Sequence, residues 1–307
     1  MRARLIGRDP AFKAALSLAR RAAPARGPVV IVGPTGSGKS LMARFIHEHG
    51  ANPAAAFQEW SAGGVPATLL ESDLLGVERG VATGVAERPG IFEAAGRGTI
   101  CLSGLEDMAF SQQAILLRVI ETGTVERIGG HRSARVQARL IATFQDPPEM
   151  LVSSAKLRQD LFYRLDLFRI ELPPLCARSE DIPALFNHFL RAACIKERRA
   201  APRVEPAFSE ALLCHSWPGN VRELRQLAEA MAFLGKETLG IEDLPPSFWI
   251  AGEPVAEALR HRLTLEELKD RYVREVLVRV GGKKTEAARW LGISRKALWE
   301  RLKRASG

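Results

Sequence analysis

The segment Gly33-Pro34-Thr35-Gly36-Ser37-Gly38-Lys39-Ser40 follows directly on the apolar run Val29–Val32 and opens a helical pattern over residues 41–49. It matches GxxxxGK[ST] in the one context where that motif carries chemistry, between a strand and a helix. The glycines let backbone N–H groups turn inward around phosphate oxygens, and the helix N-terminus adds partial positive charge. Lys39 then reaches the outer phosphates and Ser40 is placed to hold magnesium. A chain built this way folds around a parallel sheet, and the pattern beyond the loop agrees. Short apolar runs at residues 99–102 and 139–143 alternate with helical patterns at residues 112–121 and 158–165. That alternation predicts an α/β sheet covered by helices.

After Leu172-Pro173-Pro174-Leu175 the strand patterns stop and helical ones run to residue 234, which predicts a small helical lid. Pro245, Pro246, Gly252 and Pro254 mark a linker, and helical patterns resume from Thr264. The expected division is an α/β nucleotide-binding part over residues 1–175, a lid over 176–250, a linker over 251–263 and an all-α domain over 264–307. The first helix is expected from Ala11 to Ala22.

A site that hydrolyses nucleotide needs an acid at the tip of a neighbouring strand for magnesium's water shell, and often a second carboxylate to orient the attacking water. The tip of the 99–102 run instead reads Ser103-Gly104. Glu106 and Asp107 come later, where the chain has turned and their side chains are expected to point elsewhere. An ångström of misplacement already costs catalysis heavily. The residues describe a site that can bind a nucleotide and is poorly equipped to hydrolyse it.

Charge locates a second activity. The chain carries a net +9, and residues 281–307 hold eight basic residues against two acidic ones, six of those nine charges. A localised basic end points to a polyanion, with nucleic acid first. Within it, residues 284–291 and 294–302 form two short helices joined by Leu291-Gly292-Ile293-Ser294, where Gly292 suits the tight turn and Ser294 caps the second helix. Ala288, Leu291, Ile293, Leu298 and Leu302 are expected to hold the pair together. Cys101, Cys176, Cys194 and Cys214 lie far apart, which fits four reduced thiols. No apolar run approaches the roughly 18 residues of a spanning helix and no signal-peptide pattern opens the chain, so a cytoplasmic location is expected. His47 and His49 are expected at the surface.

From residue 5 to about 234 the chain resembles the AAA+ central domain of bacterial enhancer-binding proteins, which remodel sigma-54 RNA polymerase. Leu5-Ile6-Gly7-Arg8 is similar to the family's opening, and Leu70-Glu71-Ser72-Asp73-Leu74-Leu75-Gly76 precedes the place of its polymerase-contacting loop. Arg118-Val119-Ile120-Glu121 and Arg127-Ile128-Gly129-Gly130 follow in order. Leu157-Arg158-Gln159-Asp160-Leu161-Phe162-Tyr163-Arg164-Leu165 is similar to the segment that supplies arginine fingers to a neighbouring subunit, which implies that role for Arg158 and Arg164. Trp217-Pro218-Gly219-Asn220-Val221-Arg222-Glu223-Leu224 resembles the sensor II motif, which implies a phosphate contact for Arg222. The tail resembles a Fis-type helix-turn-helix, which implies double-stranded DNA as partner. Arg295, Lys296, Trp299 and Arg301 then face bases or phosphates, Ser294 begins their helix, and Lys283 and Lys284 sit near the backbone.

The departures from the family fall on its working parts. The loop that reads GAFTGA in the family reads Gly80-Val81-Ala82-Thr83-Gly84-Val85, with Ala82 in place of the aromatic that touches the sigma factor. Ser103 and Gly104 replace the strand-end acids, Phe144 replaces the polar sensor I residue, and Ser61 replaces the asparagine that restrains the catalytic glutamate. The resemblance therefore implies a DNA-binding regulator that binds ATP, with magnesium uncertain, and is impaired in hydrolysis and in sigma-54 contact. It implies a homo- or hetero-oligomeric ring, in which Arg158 and Arg164 could serve an active relative's site. Two alternatives stay open: an active ATPase that remodels sigma-54 RNA polymerase, and a nucleotide-responsive regulator independent of sigma-54. No receiver or sensory domain is expected ahead of Leu5, and control is expected to come from a separate protein, from nucleotide or from mixing with an active relative in one ring.

Overall fold

The computed structural model describes residues 5–80, 86–250, 264–280 and 284–304. Of the residues singled out above, Val81, Ala82, Thr83, Gly84, Val85, Gly252, Pro254 and Lys283 lie outside the described residues, as does the whole expected linker over 251–263.

Asp9 caps the first helix, α1 (Pro10–Ala22), by accepting from the N–H groups of Ala11 and Phe12. Strand β1 (Val29–Val32) leads through the glycine loop into α2 (Lys39–Glu48). Then come β2 (Phe57–Ser61), α3 (Ala67–Leu75), the two-residue strands β3 (Gly76–Val77) and β4 (Arg88–Pro89), α4 (Ile91–Ala95) and β5 (Thr99–Ser103). Helix α5 (Phe110–Thr122) precedes the hairpin of β6 (Thr124–Glu126) and β7 (Ser133–Arg135). The sheet is completed by β8 (Arg139–Phe144) and, after α6 (Pro148–Ser153) and α7 (Gln159–Leu165), by β9 (Phe168–Glu171).

The five long strands form one parallel sheet in the order β2-β5-β8-β1-β9. The Val-Val-Ile-Val run is apolar throughout because both faces are covered. Val30 and Val32 join Ile100, Leu102, Leu140, Ala142 and Phe144 in one core. Val29 and Ile31 join Cys101, Ile141 and Ile170 in the core on the other face, with α1 and α2. Burial pushes the Cys101 thiol up to about 12, so it packs as a small apolar group. Strands β2 and β9 have no place in the sequence reading. Phe57–Ser61 mixes polar and apolar residues at the sheet edge, and Phe168–Glu171 is a short edge strand with two half-buried positions, so neither shows an apolar run.

The chain divides into two compact units, residues 1–202 with 219–237, and residues 203–218 with 238–307. Two helices of the expected lid, α8 (Ile182–Lys196) and α10 (Asn220–Phe233), thus belong to the same unit as the sheet. In the second unit β10 (Arg203–Val204) pairs in parallel with β11 (Thr238–Leu239), a short ladder in the region where helical patterns dominate the sequence as far as residue 234. There α9 (Pro206–Cys214) carries Leu212, whose carbonyl accepts from the Trp217 indole at 2.9 Å.

The C-terminal segment contains three helices, Leu265–Arg279, Lys284–Trp290 and Arg295–Arg304. Their core is Val273, Val276, Val280, Ala287, Ala288 and Leu298. Ile293, expected inside, is 36% exposed because it sits in the turn past the end of the middle helix. Ser294 caps the last helix by accepting from the Ala297 N–H at 3.1 Å. Among the described residues no helix is long and apolar enough to cross a membrane.

Candidate nucleotide and DNA sites

The glycine loop leaves the C-terminal end of β1, near the middle of the sheet, and is tied on three sides. Gly33 N–H donates to the Phe144 carbonyl on β8 at 3.1 Å. Thr35 Oγ1 donates to Gln145 Oε1 at 2.8 Å. On the third side stands the start of α10. The Asn220 amide donates to the Thr35 carbonyl at 3.0 Å and accepts from the Leu175 N–H at 2.7 Å, while the Val221 N–H donates to the Gly36 carbonyl at 3.0 Å. Gly36 has φ +76°, and a Cβ there would lie 2.2 Å from the Gly219 carbonyl oxygen. Gly36→Ala is therefore expected to cost more than about 1 kcal/mol of stability, read by denaturant unfolding, since both backbone and space oppose it.

Beneath the loop lies Arg178, 1% exposed. Its guanidinium donates to the Ser37 carbonyl at 2.9 Å and stacks over the Phe12 ring at 4.9 Å. Burial lowers its pKa, and Asp181, fully buried, is its principal opposite charge. Asp181 also accepts from the backbone N–H groups of Arg8 and Asp9, which fixes the start of α1 to the same cluster. Leu5, Ile6, Leu41, Leu185, Phe189 and Val221 help line a small apolar pocket behind the loop. Leu5, Ile6 and Val221 fall in the family-like segments named above, whereas Leu41, Leu185 and Phe189 belong to no motif.

Lys39 Nζ donates to the carbonyls of Gly33 and Pro34 at 2.6 and 3.2 Å, folded onto its own loop. Burial lowers its pKa, Glu106 acts against that fall and Arg222 adds to it. Both side chains thus act on the lysine from different elements, one from beyond β5 and one from α10. Gly104 adopts φ +70°, and the turn it makes sends the chain into the 3-10 turn Leu105–Asp107. Burial raises the Glu106 pKa, Asp107 and Asp146 raise it further, and Lys39 opposes them. Ser103 is turned away from the loop, its hydroxyl donating to the Trp60 carbonyl on β2 at 3.2 Å. Phe144 is fully buried in the core, because the alternation along β8 sends it to the same face as Leu140 and Ala142.

Arg127 ties together the described residues on either side of positions 81–85. Its guanidinium makes a bidentate pair with Glu93 at 2.8 and 2.7 Å, reaches Glu87 at 2.6 Å and lies 3.8 Å from Glu78. Strands β3 and β4 pair beside it, and Val77 bridges to Ile128.

In the C-terminal domain Lys284, Ser294, Arg295, Lys296 and Trp299 are all exposed. Arg301 is held differently, donating to Asp270 at 2.6 Å and to Glu266 at 2.6 Å on the first helix of the domain. It is expected from the sequence among the DNA-facing residues, and here it joins two helices.

Comparison with known proteins decides the family. Residues 5–171 match the sigma-54 interaction domain, residues 177–258 the AAA+ ATPase lid domain and residues 264–304 the bacterial regulatory proteins of the Fis family. The chain belongs to the sigma-54-dependent transcriptional regulators. It is 38% identical over 306 residues to the transcriptional regulatory protein ZraR of Klebsiella oxytoca, covering 98% of this chain and 68% of that one. It is also 38% identical to the regulatory protein AtoC of Escherichia coli (strain K12), over 89% of this chain and 61% of the relative. The structure of NtrX from Brucella abortus in complex with ATP superposes with TM-score 0.73 at 30% identity, covering 98% of this chain and 68% of that one. As a member of this family the chain is a transcriptional regulator with an ATP-binding AAA+ part and a DNA-binding helix-turn-helix.

This regulator holds its arginine-finger candidates in pairs of its own. Arg158 makes a bidentate contact with Asp160 at 3.0 and 2.7 Å, and Arg164 reaches Glu121 at 3.1 Å. Phe110 and Tyr163, 43% and 68% exposed, lie beside Arg158 in a shallow groove. His47, by contrast with its expected surface position, is 5% exposed, with Nδ1 2.9 Å from Thr99 Oγ1. Its spacing from His49 carried no sign of burial, because the contact comes from β5, far along the chain.

Proposed function

We propose that this chain is an ATP-binding, DNA-binding regulator whose own site hydrolyses nucleotide weakly or not at all, and that it acts as a regulatory subunit in a ring of like or related subunits. The observation that carries the reading is the end of β5. Ser103 is spent on the Trp60 carbonyl and Gly104 has no side chain, so neither position offers a carboxylate to the phosphate loop. The nucleotide cradle of Gly33, Pro34, Thr35, Gly36, Ser37, Gly38, Lys39 and Ser40, with the positive charge of Arg222 acting on Lys39 from α10, supports binding. That NtrX has been solved with ATP and with ADP supports ATP as the nucleotide. Exposed Phe110 and Tyr163 beside Arg158 support a subunit contact on that face. Double-stranded DNA would meet Lys284, Arg295, Lys296 and Trp299, with Ser294 opening their helix.

The test measures ATP binding and steady-state phosphate release on the same purified protein, with Lys39→Ala as the blank. Binding lost in Lys39→Ala, with phosphate release no higher in the parent than in the blank, is the expected result. Release that Lys39→Ala abolishes would sink the weak-hydrolysis reading. The half-buried Glu106, whose negative charge acts on Lys39, is the observation on the side of the second reading, an active ATPase acting on sigma-54 RNA polymerase. The ring role has its own readout, a change in an active relative's ATPase rate on mixing, and an unchanged rate would refute it.

A further inference from the structure

The glycine loop leaves β1 at its C-terminal end. At the opposite end the starts of β1, β8 and β5, three neighbours in the sheet, border a cleft of about 450 Å³. That volume falls within the roughly 300–1,000 Å³ of small-molecule sites. Arg26 precedes β1, Arg97 precedes β5 and Arg139 opens β8, and all three line the cleft with His47, Asn52 and Gln137. No aspartate or glutamate lines it among the described residues. Several of these groups are fixed in place. Arg139, half-buried, donates to the carbonyls of Ala22, Ala23 and Gly27 at 2.7, 2.6 and 3.2 Å. It thereby closes the end of α1 with three of a guanidinium's five N–H groups. Arg97 Nε donates to Gln137 Oε1 at 2.7 Å, which holds the guanidinium without neutralising it, and the Asn52 amide donates to the Arg97 carbonyl at 3.3 Å. His47 stands on Thr99 at 2.9 Å, almost fully buried.

The charge balance points to what such a cleft takes. Elsewhere in the same unit arginines are matched to acids, Arg44 to Glu59, Arg88 to Asp73 and Arg169 to Asp166. Arg26, Arg97 and Arg139 have no carboxylate partner among the described residues. Three like charges around one cleft repel one another, and an anion placed among them turns that repulsion into attraction. Closing α1 accounts for Arg139 alone, since Arg97 is anchored on an amide and Arg26 shares in neither contact. The planar fork of a guanidinium matches both phosphate and carboxylate. We propose that this cleft is a second ligand site, which takes a small molecule bearing two or more phosphate or carboxylate groups through Arg26, Arg97 and Arg139. It lies at the far end of β1 from the phosphate loop, and the proposal does not rest on the nucleotide reading.

The test is calorimetric titration of pyrophosphate, and separately of citrate, into the full chain carrying Lys39→Ala, which removes the lysine of the phosphate loop. At least one of the two anions is expected to bind. Adding Arg26→Ala with Arg97→Ala should weaken it about tenfold or more, the low end for hydrogen bonds to charged groups. Arg20→Ala with Arg21→Ala takes the same charge from exposed positions of α1 outside the cleft, and should change the affinity about twofold or less. Tighter binding of pyrophosphate assigns a phosphate ester, and tighter binding of citrate a polycarboxylate. Arg26 and Arg97 are exposed, so the unfolding curve of their double variant should match the parent's, and the two single variants carry the comparison if it does not. Binding of neither anion overturns the proposal. So does an equal loss in the two double variants, the mark of diffuse surface charge, and so does an affinity that Arg26→Ala with Arg97→Ala leaves unchanged, which would place the anion elsewhere.

Discussion

Arg178→Leu is expected to destabilise the sheet-bearing unit by about 1–3 kcal/mol, the cost of losing a buried hydrogen bond from a charged donor. The guanidinium is buried between the Ser37 carbonyl, the Phe12 ring and the field of Asp181. Its removal strands Asp181, fully buried, with only the backbone donors of Arg8 and Asp9. Denaturant unfolding followed by tryptophan fluorescence reads the loss. The double variant Arg178→Leu with Asp181→Asn separates charge from packing, because a pair should lose less together than the two single changes added. Strict additivity would show that the two do not act as a pair. ATP affinity should fall with Arg178→Leu, since the same side chain holds the floor of the phosphate loop.

The second large effect belongs to the DNA-binding domain. Removing Arg295 and Lys296 together should weaken binding to a specific duplex at least thirtyfold, taking the low end of about 1–3 kcal/mol for each contact. The slope of log affinity against log salt should fall by roughly one for each lost phosphate contact. Both side chains are exposed at the start of the last helix. Arg301→Ala should separate from that pair. With its guanidinium on Asp270 and Glu266, it should lower the melting temperature of the domain and leave the salt slope unchanged. A salt slope that drops for Arg301→Ala would return it to the DNA-facing set.

What could be read from the sequence follows from how local each signal is. The phosphate loop, its flanking strand and helix, and the serine cap of the last helix are set within a few residues, so their patterns suffice. The position of Phe144 could also be anticipated in part, since alternation along β8 fixes its face. Glu106 could not. Its half-buried setting depends on the left-handed turn at Gly104 and on charges from elsewhere in the chain, Lys39 and Asp146. The same holds for Arg178, which a sequence presents as one arginine in Leu175–Asp181 and which the fold places beneath the loop. Arg301 was legible as a basic residue on a basic helix, whereas its two acidic partners lie on the first helix of the domain. Edge strands β2 and β9 escaped because strands at the margin of a sheet need no apolar run.

The turn at Gly104 also bears on how this site could be rebuilt. Position 104 stands in a left-handed backbone conformation that suits glycine, and Asp107 Oδ2 lies 3.1 Å from where a new side chain would begin. An acid written in at 104 therefore meets a backbone that resists it and a carboxylate that has to give way by a few tenths of an ångström, whereas position 103 carries no left-handed backbone.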